Sequence, residues 1–193
     1  MKFNLFKKSK KPVEINKEPE KKQLFLMCGA PGSGKSTWLR ANAIGPDCAV
    51  VSRDEIRFSY MKSKDDHYFT HETEVFNEFI ETIQNYLNDA EGPTRIYADA
   101  THLTEKSRLK VLKRLDLSNA EVTVLVIRAS LKETIKRNHQ RAYHAIVPDN
   151  IVTRMWNSFE HPENDTEIPV KALYLELPHE NKVDETQKKR GKK

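Results

Sequence analysis

Residues Gly29-Ala30-Pro31-Gly32-Ser33-Gly34-Lys35-Ser36-Thr37 satisfy G-x-x-x-x-G-K-[ST], and their flanks narrow the folds open to this chain. Before them lies Gln23–Cys28, a short apolar run suited to a buried parallel strand. After them, Ser36 to about Ala43 suits a first helix, stopped by Gly45-Pro46. A strand, a glycine-rich turn and a helix in that order build a cradle of backbone N–H groups at a positive helix end. In such a cradle the lysine reaches the β- and γ-phosphates and the serine hydroxyl ligates Mg²⁺. The expected nucleotide contacts are therefore Gly29, Pro31, Gly32, Ser33, Gly34, Lys35, Ser36 and Thr37, with Ser36 as the metal ligand. The loop calls for a nucleoside triphosphate and does not name an acceptor.

The rest of the chain continues the alternation. Cys48–Ser52, 94–99, Ala120–Ile127 and 170–176 read as further strands. Between them fall helical patterns: about His67 to Ala90, Thr104 to about Leu115, Ser130 to about Arg141, and Pro148 to about Phe159. Alternating strands and helices predict a mainly parallel sheet with helices on both faces. The expected class is thus α/β, a three-layer P-loop NTPase with an arginine-bearing lid.

Length and charge bound the organisation. At 193 residues the chain suits one domain with tails. Residues 1–22 carry eight lysines against three acidic residues, and 179–193 carry six basic against three acidic. Both segments lack sustained periodicity and read as charged, disordered tails around a domain spanning 23–178. That domain has a net charge of −3, so the overall +5 belongs to the tails and argues little for a nucleic-acid-binding body. The longest apolar run, Val122 to Ile127, is strand-sized, and the N-terminus shows no apolar leader. Cys28 and Cys48 sit at strand ends without metal spacing and read as buried thiols. These features predict a cytoplasmic setting with no membrane contact.

Several residues carry candidate chemistry. Ligands of open α/β sheets bind outside the carboxyl ends of the strands. Asp54 and Arg57 follow the second strand directly, three residues apart, as a base and an anion-holding partner. Asp99 closes the third strand; it either ends that strand or joins the site, and the upstream loop favours the site. Arg137 and Arg141 are four apart, a spacing that puts them on one helix face. They suit either a lid closing over a transferring phosphoryl group or an ordinary basic surface. Lys106, Arg108, Lys110, Lys113 and Arg114 make the third helix basic, by default a solvated face, otherwise a surface for a polyanion. His67 and His71 share a spacing with no third ligand and read as solvated.

In motif order, Gly29 to Trp38, Ser52-Arg53-Asp54-Glu55-Ile56-Arg57, Asp99-Ala100-Thr101-His102 and Lys136–Arg141 resemble the kinase domain of bacteriophage-type polynucleotide 5′-hydroxyl kinases. More distantly the chain is similar to zeta-toxin and AAA-like ATP-binding kinases. The resemblance implies ATP and Mg²⁺ as cofactors and a nucleic-acid 5′-hydroxyl end as the substrate. It implies Asp54 as general base, Arg57 on the substrate's 3′-side phosphate, Asp99 at the substrate, and Arg141 as the catalytic lid arginine, with Arg137 beside it as a further nucleotide contact. Lys35, Asp54 and Arg141 are then the catalytic set. Where that family carries Asp-Thr-Asn, this chain has Asp99-Ala100-Thr101-His102, and no Asp-x-Asp-x-Thr phosphatase motif is present. A small-molecule or nucleoside kinase of the same fold and a non-catalytic ATP-binding module remain alternatives. A GTP switch is disfavoured, since no Asn-Lys-x-Asp signature occurs.

Overall fold

The computed structural model describes residues 21–61 and 70–175. Strands β1 (Lys22–Cys28), β2 (Cys48–Ser52), β3 (Arg95–Asp99), β4 (Ala120–Ile127) and β5 (Lys171–Leu175) form one sheet in the order β2-β3-β1-β4-β5. Every pairing is parallel. Parallel neighbours cannot be joined by a tight hairpin, so each connection crosses a face of the sheet and buries it. This is the three-layer α/β P-loop arrangement. β1 lies at the centre, where Leu24, Leu26, Met27 and Cys28 have no exposed surface.

Two cores flank the sheet. On one face, α3 (Glu72–Asn88) lays down Phe76, Phe79, Ile80, Ile83 and Leu87, and α4 (Glu105–Leu112) adds Val111 and Leu112. The three- and four-residue spacing of the α3 set is one helical stripe. Each such side chain contributes roughly 1.5–3 kcal/mol when fully buried. On the other face, Leu39 and Trp38 of α1 (Lys35–Asn42) pack on Met27, Tyr97, Leu125 and Ile127. The parallel order brings every strand's carboxyl end to one edge. There the phosphate loop follows β1, α2 (Arg53–Tyr60) follows β2, and α5 (Leu131–His139) follows the turn after β4. The chain then passes a 3-10 turn, Tyr143–Ala145, into α6 (Asp149–Asn157).

Outside the arginine-bearing arm, five departures from the sequence reading bear on the core and the site. The first helical turn of the long helix starts at Glu72, with His71 at its N-cap; His67 and residues 1–20 and 176–193 lie outside the described residues. Residues 53–57, placed directly after the second strand with no element of their own, open a helix whose N-cap is Ser52, with Glu55 N–H donating to Ser52 Oγ at 3.3 Å. Lys22 belongs to β1 rather than to a tail. Its ammonium donates to the carbonyls of Asp89, Gly92 and Pro93 at 2.6–3.1 Å, satisfying acceptors left open past the end of α3. In α6 the fully buried residue is Val152, while Met155, and Phe159 just past the helix, pack at the core's margin.

The fifth departure is Arg108, which is not on a solvated face. It is the largest side chain with no exposed surface. Its guanidinium makes two parallel hydrogen bonds to Asp165, Nε to Oδ2 at 2.6 Å and Nη2 to Oδ1, and Nη1 donates to His102 O at 3.0 Å. This pair staples α4 to the segment ahead of β5. Removing one partner leaves an uncompensated buried charge, so Asp165→Ala should lower unfolding free energy by roughly 3–5 kcal/mol. The double variant Arg108→Met/Asp165→Leu should recover much of that loss. Urea midpoints at unchanged m-value check both outcomes.

Candidate active site

The phosphate loop is shaped by what its glycines lack. Gly32 has φ +82°, and a Cβ there would lie under 3.0 Å from the Thr134 carbonyl oxygen and the Asn138 nitrogen. Only a residue without a side chain lets the loop seat against the α5 backbone. Gly34 caps α1 with φ +107°. The first N–H groups of α1 have no acceptor within the helix and point from its positive end, which fits a phosphate chain. Lys35 Nζ donates to Gly29 O at 2.7 Å and Ala30 O at 3.2 Å. Ser33 Oγ is buried and has no hydrogen-bond partner among the described residues, while Ser36 and Thr37 are exposed on the first turn. Pro31 is half-buried. Gly29 N–H donates to Thr101 O at 3.0 Å, tying the loop to the turn after β3.

Across the edge stands α2. Arg57, only 6% exposed, donates from Nη1 to Asp54 Oδ1 at 2.6 Å and from Nη2 to Glu72 Oε2 at 3.0 Å. Arg53 also pairs with Glu72. Asp54 is half exposed, and its Oδ2 lies 3.8 Å from Arg141 Nη2. An ion-paired carboxylate with half its surface open to solvent can chemically accept a proton from a hydroxyl docked beside it.

Asp99 pairs with Ser52 in the β2–β3 register, so it meets α2 at the same edge. Burial raises its carboxyl above the usual range; Lys35 opposes that shift and Asp54 and Glu55 reinforce it. Burial likewise lowers the Lys35 ammonium, against the pull of Asp99 and then Asp54. The loop lysine, both aspartates and Arg141 therefore share one electrostatic neighbourhood.

The two arginines of the arm do not act as a pair on one helix face. α5 ends at His139, and Arg141 lies beyond it. Arg137 Nε donates to Glu133 Oε1 at 2.8 Å on its own helix, whereas Arg141 reaches toward Asp54. Between them Asn138, fully buried, donates to Val147 O at 2.6 Å and accepts from Val147 N–H at 3.2 Å. That clamp folds 139–147 back and sets where Arg141 can go. Sequence reasoning missed Asn138, Glu72 and His102. The spacing Ser52-x-x-Glu55 was the signal available for α2; Glu72 had none, because its partners lie 15 and 19 residues away, and Asn138 had none, because it bonds to the backbone of Val147, which no side-chain pattern marks. Among the described residues no group of three or more His, Cys, Asp or Glu side chains is placed to hold a metal ion.

Comparison with known proteins places this geometry in a family. The profile AAA_33, described as an AAA domain, matches residues 24–162. The chain belongs to this family. A chain of the Pnkp1/Rnl/Hen1 RNA repair complex superposes with a TM-score of 0.60 at 21% identity, over 74% of this chain and 45% of that one. A fungal RNA kinase gives 0.57 at 14% identity, over 86% and 81%. A sugar kinase from Janibacter sp. gives 0.52 at 19% identity, over 80% and 84%. At these identities the likeness is one of fold: a P-loop fold that also serves kinases of different acceptors. This chain spans less than half the length of the RNA repair chain. No helix of the described residues is long and apolar enough to cross a membrane.

His102, at the back of the site, supplies a test. It is 3% exposed, has the positive φ of +37°, and its Nε2 has no partner among the described residues. Burial, then the cations Arg53, Lys35 and Arg108, pull its pKa down to about 3. Below pH ~6.5 the unfolded chain protonates this histidine and the folded one does not, so stability falls as pH drops, by up to about 1.4 kcal/mol per unit. Asp99 acts in the opposite sense, because its folded pKa is raised. The difference between wild type and His102→Gln isolates the histidine. Denaturant unfolding from pH 7 to 4 should show a shallower fall in the variant.

Proposed function

We propose that this protein is an ATP-dependent kinase that moves the γ-phosphoryl group to a hydroxyl, and that the acceptor is the 5′-hydroxyl end of a polynucleotide. The observation that carries the reading is the Asp54–Arg57 ion pair at 2.6 Å on the first turns of α2, facing the edge that holds the phosphate loop. A nucleotide-binding module has no need of a half-exposed carboxylate held there by a buried arginine.

The roles follow from charge. ATP is the donor, and Lys35 offers its ammonium to the β- and γ-phosphate oxygens, aided by the N–H groups of residues 32–37. The Ser36 hydroxyl is the ligand this chain would offer Mg²⁺, which would supply charge neutralisation at the transferring phosphates. Asp54 accepts the acceptor's proton as its oxygen attacks phosphorus and ADP departs. Arg57 fixes the Asp54 rotamer; to meet the acceptor's 3′-side phosphate, the role the resemblance implies, its guanidinium would have to exchange its Glu72 contacts for that phosphate. Arg141 stabilises charge spreading over the transferring group, and Arg137 stays on Glu133 to hold the arm. Asp99 keeps Lys35 charged and borders the acceptor.

Removing a positioned base typically costs 10²–10⁴-fold. Asp54→Asn should therefore lower kcat for label transfer from γ-labelled ATP to 5′-hydroxyl oligonucleotides by about that factor while ATP affinity changes less than about threefold. Lys35→Ala should lose both. Equal loss of ATP binding and transfer in Asp54→Asn would assign the residue to the fold and not to the chemistry.

A further inference from the structure

On the seam between α3 and α4, one ring gathers three cations. Phe76 is 7% exposed. Lys110 Nζ lies 4.4 Å from its centroid, Arg53 Cζ 5.3 Å and Arg114 Cζ 5.9 Å. The ring's negative face attracts each of them, but three like charges so close repel one another unless anions answer them. Glu72 answers Arg53. Arg114 has only a 3.4 Å hydrogen bond to Asn77 Oδ1. Lys110 and Arg114 have no carboxylate within ion-pair distance among the described residues. Their neighbour Lys113 is different, because it pairs with Glu167.

The position of this collar gives it a direction. Arg53 directly precedes Asp54, and Glu72 holds both Arg53 and Arg57, so the collar begins beside the Asp54–Arg57 pair. From there Lys106, Lys110 and Arg114 recur every fourth residue, all exposed, along and just past α4. That stripe is roughly 12 Å long at 1.5 Å per residue. At about one charge per 3.4 Å of strand it spans on the order of three phosphates.

We propose that this seam carries the polynucleotide acceptor: the phosphates 3′ of the acceptor nucleotide pass Arg53 and lie on Lys110 and Arg114. The inference rests on the 5′-hydroxyl reading above for the identity of the acceptor. Phe76 is too buried to stack on bases, so contact is with the backbone alone and carries no sequence preference. A small acceptor ends before it reaches the stripe. The length of the acceptor, and not its base sequence, is what this surface reads.

The test compares wild type with Lys110→Gln/Arg114→Gln, both exposed positions outside the catalytic set, and with Lys113→Gln as a paired-cation control. Equilibrium binding of a labelled single-stranded 12-mer bearing a 5′-hydroxyl is measured without ATP across a salt series. Transfer kinetics are measured on that 12-mer and on a nucleoside 3′-phosphate. The double variant should bind the 12-mer about tenfold more weakly, with a slope of log K on log salt shallower by about 1.4, at ~0.7 per lost phosphate contact. KM for the 12-mer should rise at constant kcat, the nucleoside 3′-phosphate should change less than twofold, and Lys113→Gln should match wild type. No binding of the 12-mer by wild type, or equal binding by the double variant, overturns the proposal. An equal loss on the nucleoside 3′-phosphate overturns it too. Collar-dependent binding without transfer to any 5′-hydroxyl would support the surface and reject the acceptor reading instead.

Discussion

The site depends on a contact made by an absent side chain. Because Gly32 carries no Cβ, the phosphate loop rests directly on the backbone of Thr134 and Asn138. Backbone against backbone leaves no rotamer to adjust, so the loop and α5 take their positions from each other. Asn138 then passes that constraint on through its two hydrogen bonds to Val147, and the segment it folds back holds Arg141 opposite Asp54. One close approach thus links the element that would hold phosphates to the arginine that would face the acceptor.

Charge on the other side is organised by a single guanidinium. Arg57 is nearly buried, and the half-buried Glu72 and half-exposed Asp54 offset what its desolvation costs. Glu72 belongs to α3, so the geometry of Asp54 is tied to a helix whose other residues form the main core. Asp99 and Lys35 show the complementary effect: burial disfavours the charge on each, and their mutual attraction opposes it. An incoming polyphosphate, on the reading proposed above, would bring charge that the lysine and Arg141 could meet.

How much of this was legible depended on sequence distance. The loop, β2 and β4 were readable because local pattern specifies them: a fixed glycine spacing, and short β-branched runs. The α3 stripe was readable from its period. Arg108 was not, because its counterion Asp165 sits 57 residues away and nothing local marks the pair. Arg137 and Arg141 were read as one helix face because spacing assumes a continuous helix, and α5 stops at His139. His102 looked like a polar residue near a strand end; its ring is buried beside Phe79 of α3, 6.3 Å away between centroids, again a tertiary fact. Asp54 and Arg57 were legible as two residue types three apart and Arg141 from the family resemblance; the fold adds Glu72 and brings Arg141 toward Asp54.

The most direct measurement of the central claim is positional. Protein, Mg²⁺ and γ-labelled ATP are incubated with a panel of oligonucleotides, nucleosides and sugars, and each labelled product is digested to locate the phosphate. The account predicts label on the 5′ oxygen of 5′-hydroxyl oligonucleotides and none on the same strands already bearing a 5′-phosphate. Label confined to a sugar or nucleoside, or ATP bound with no label on any acceptor, would contradict it.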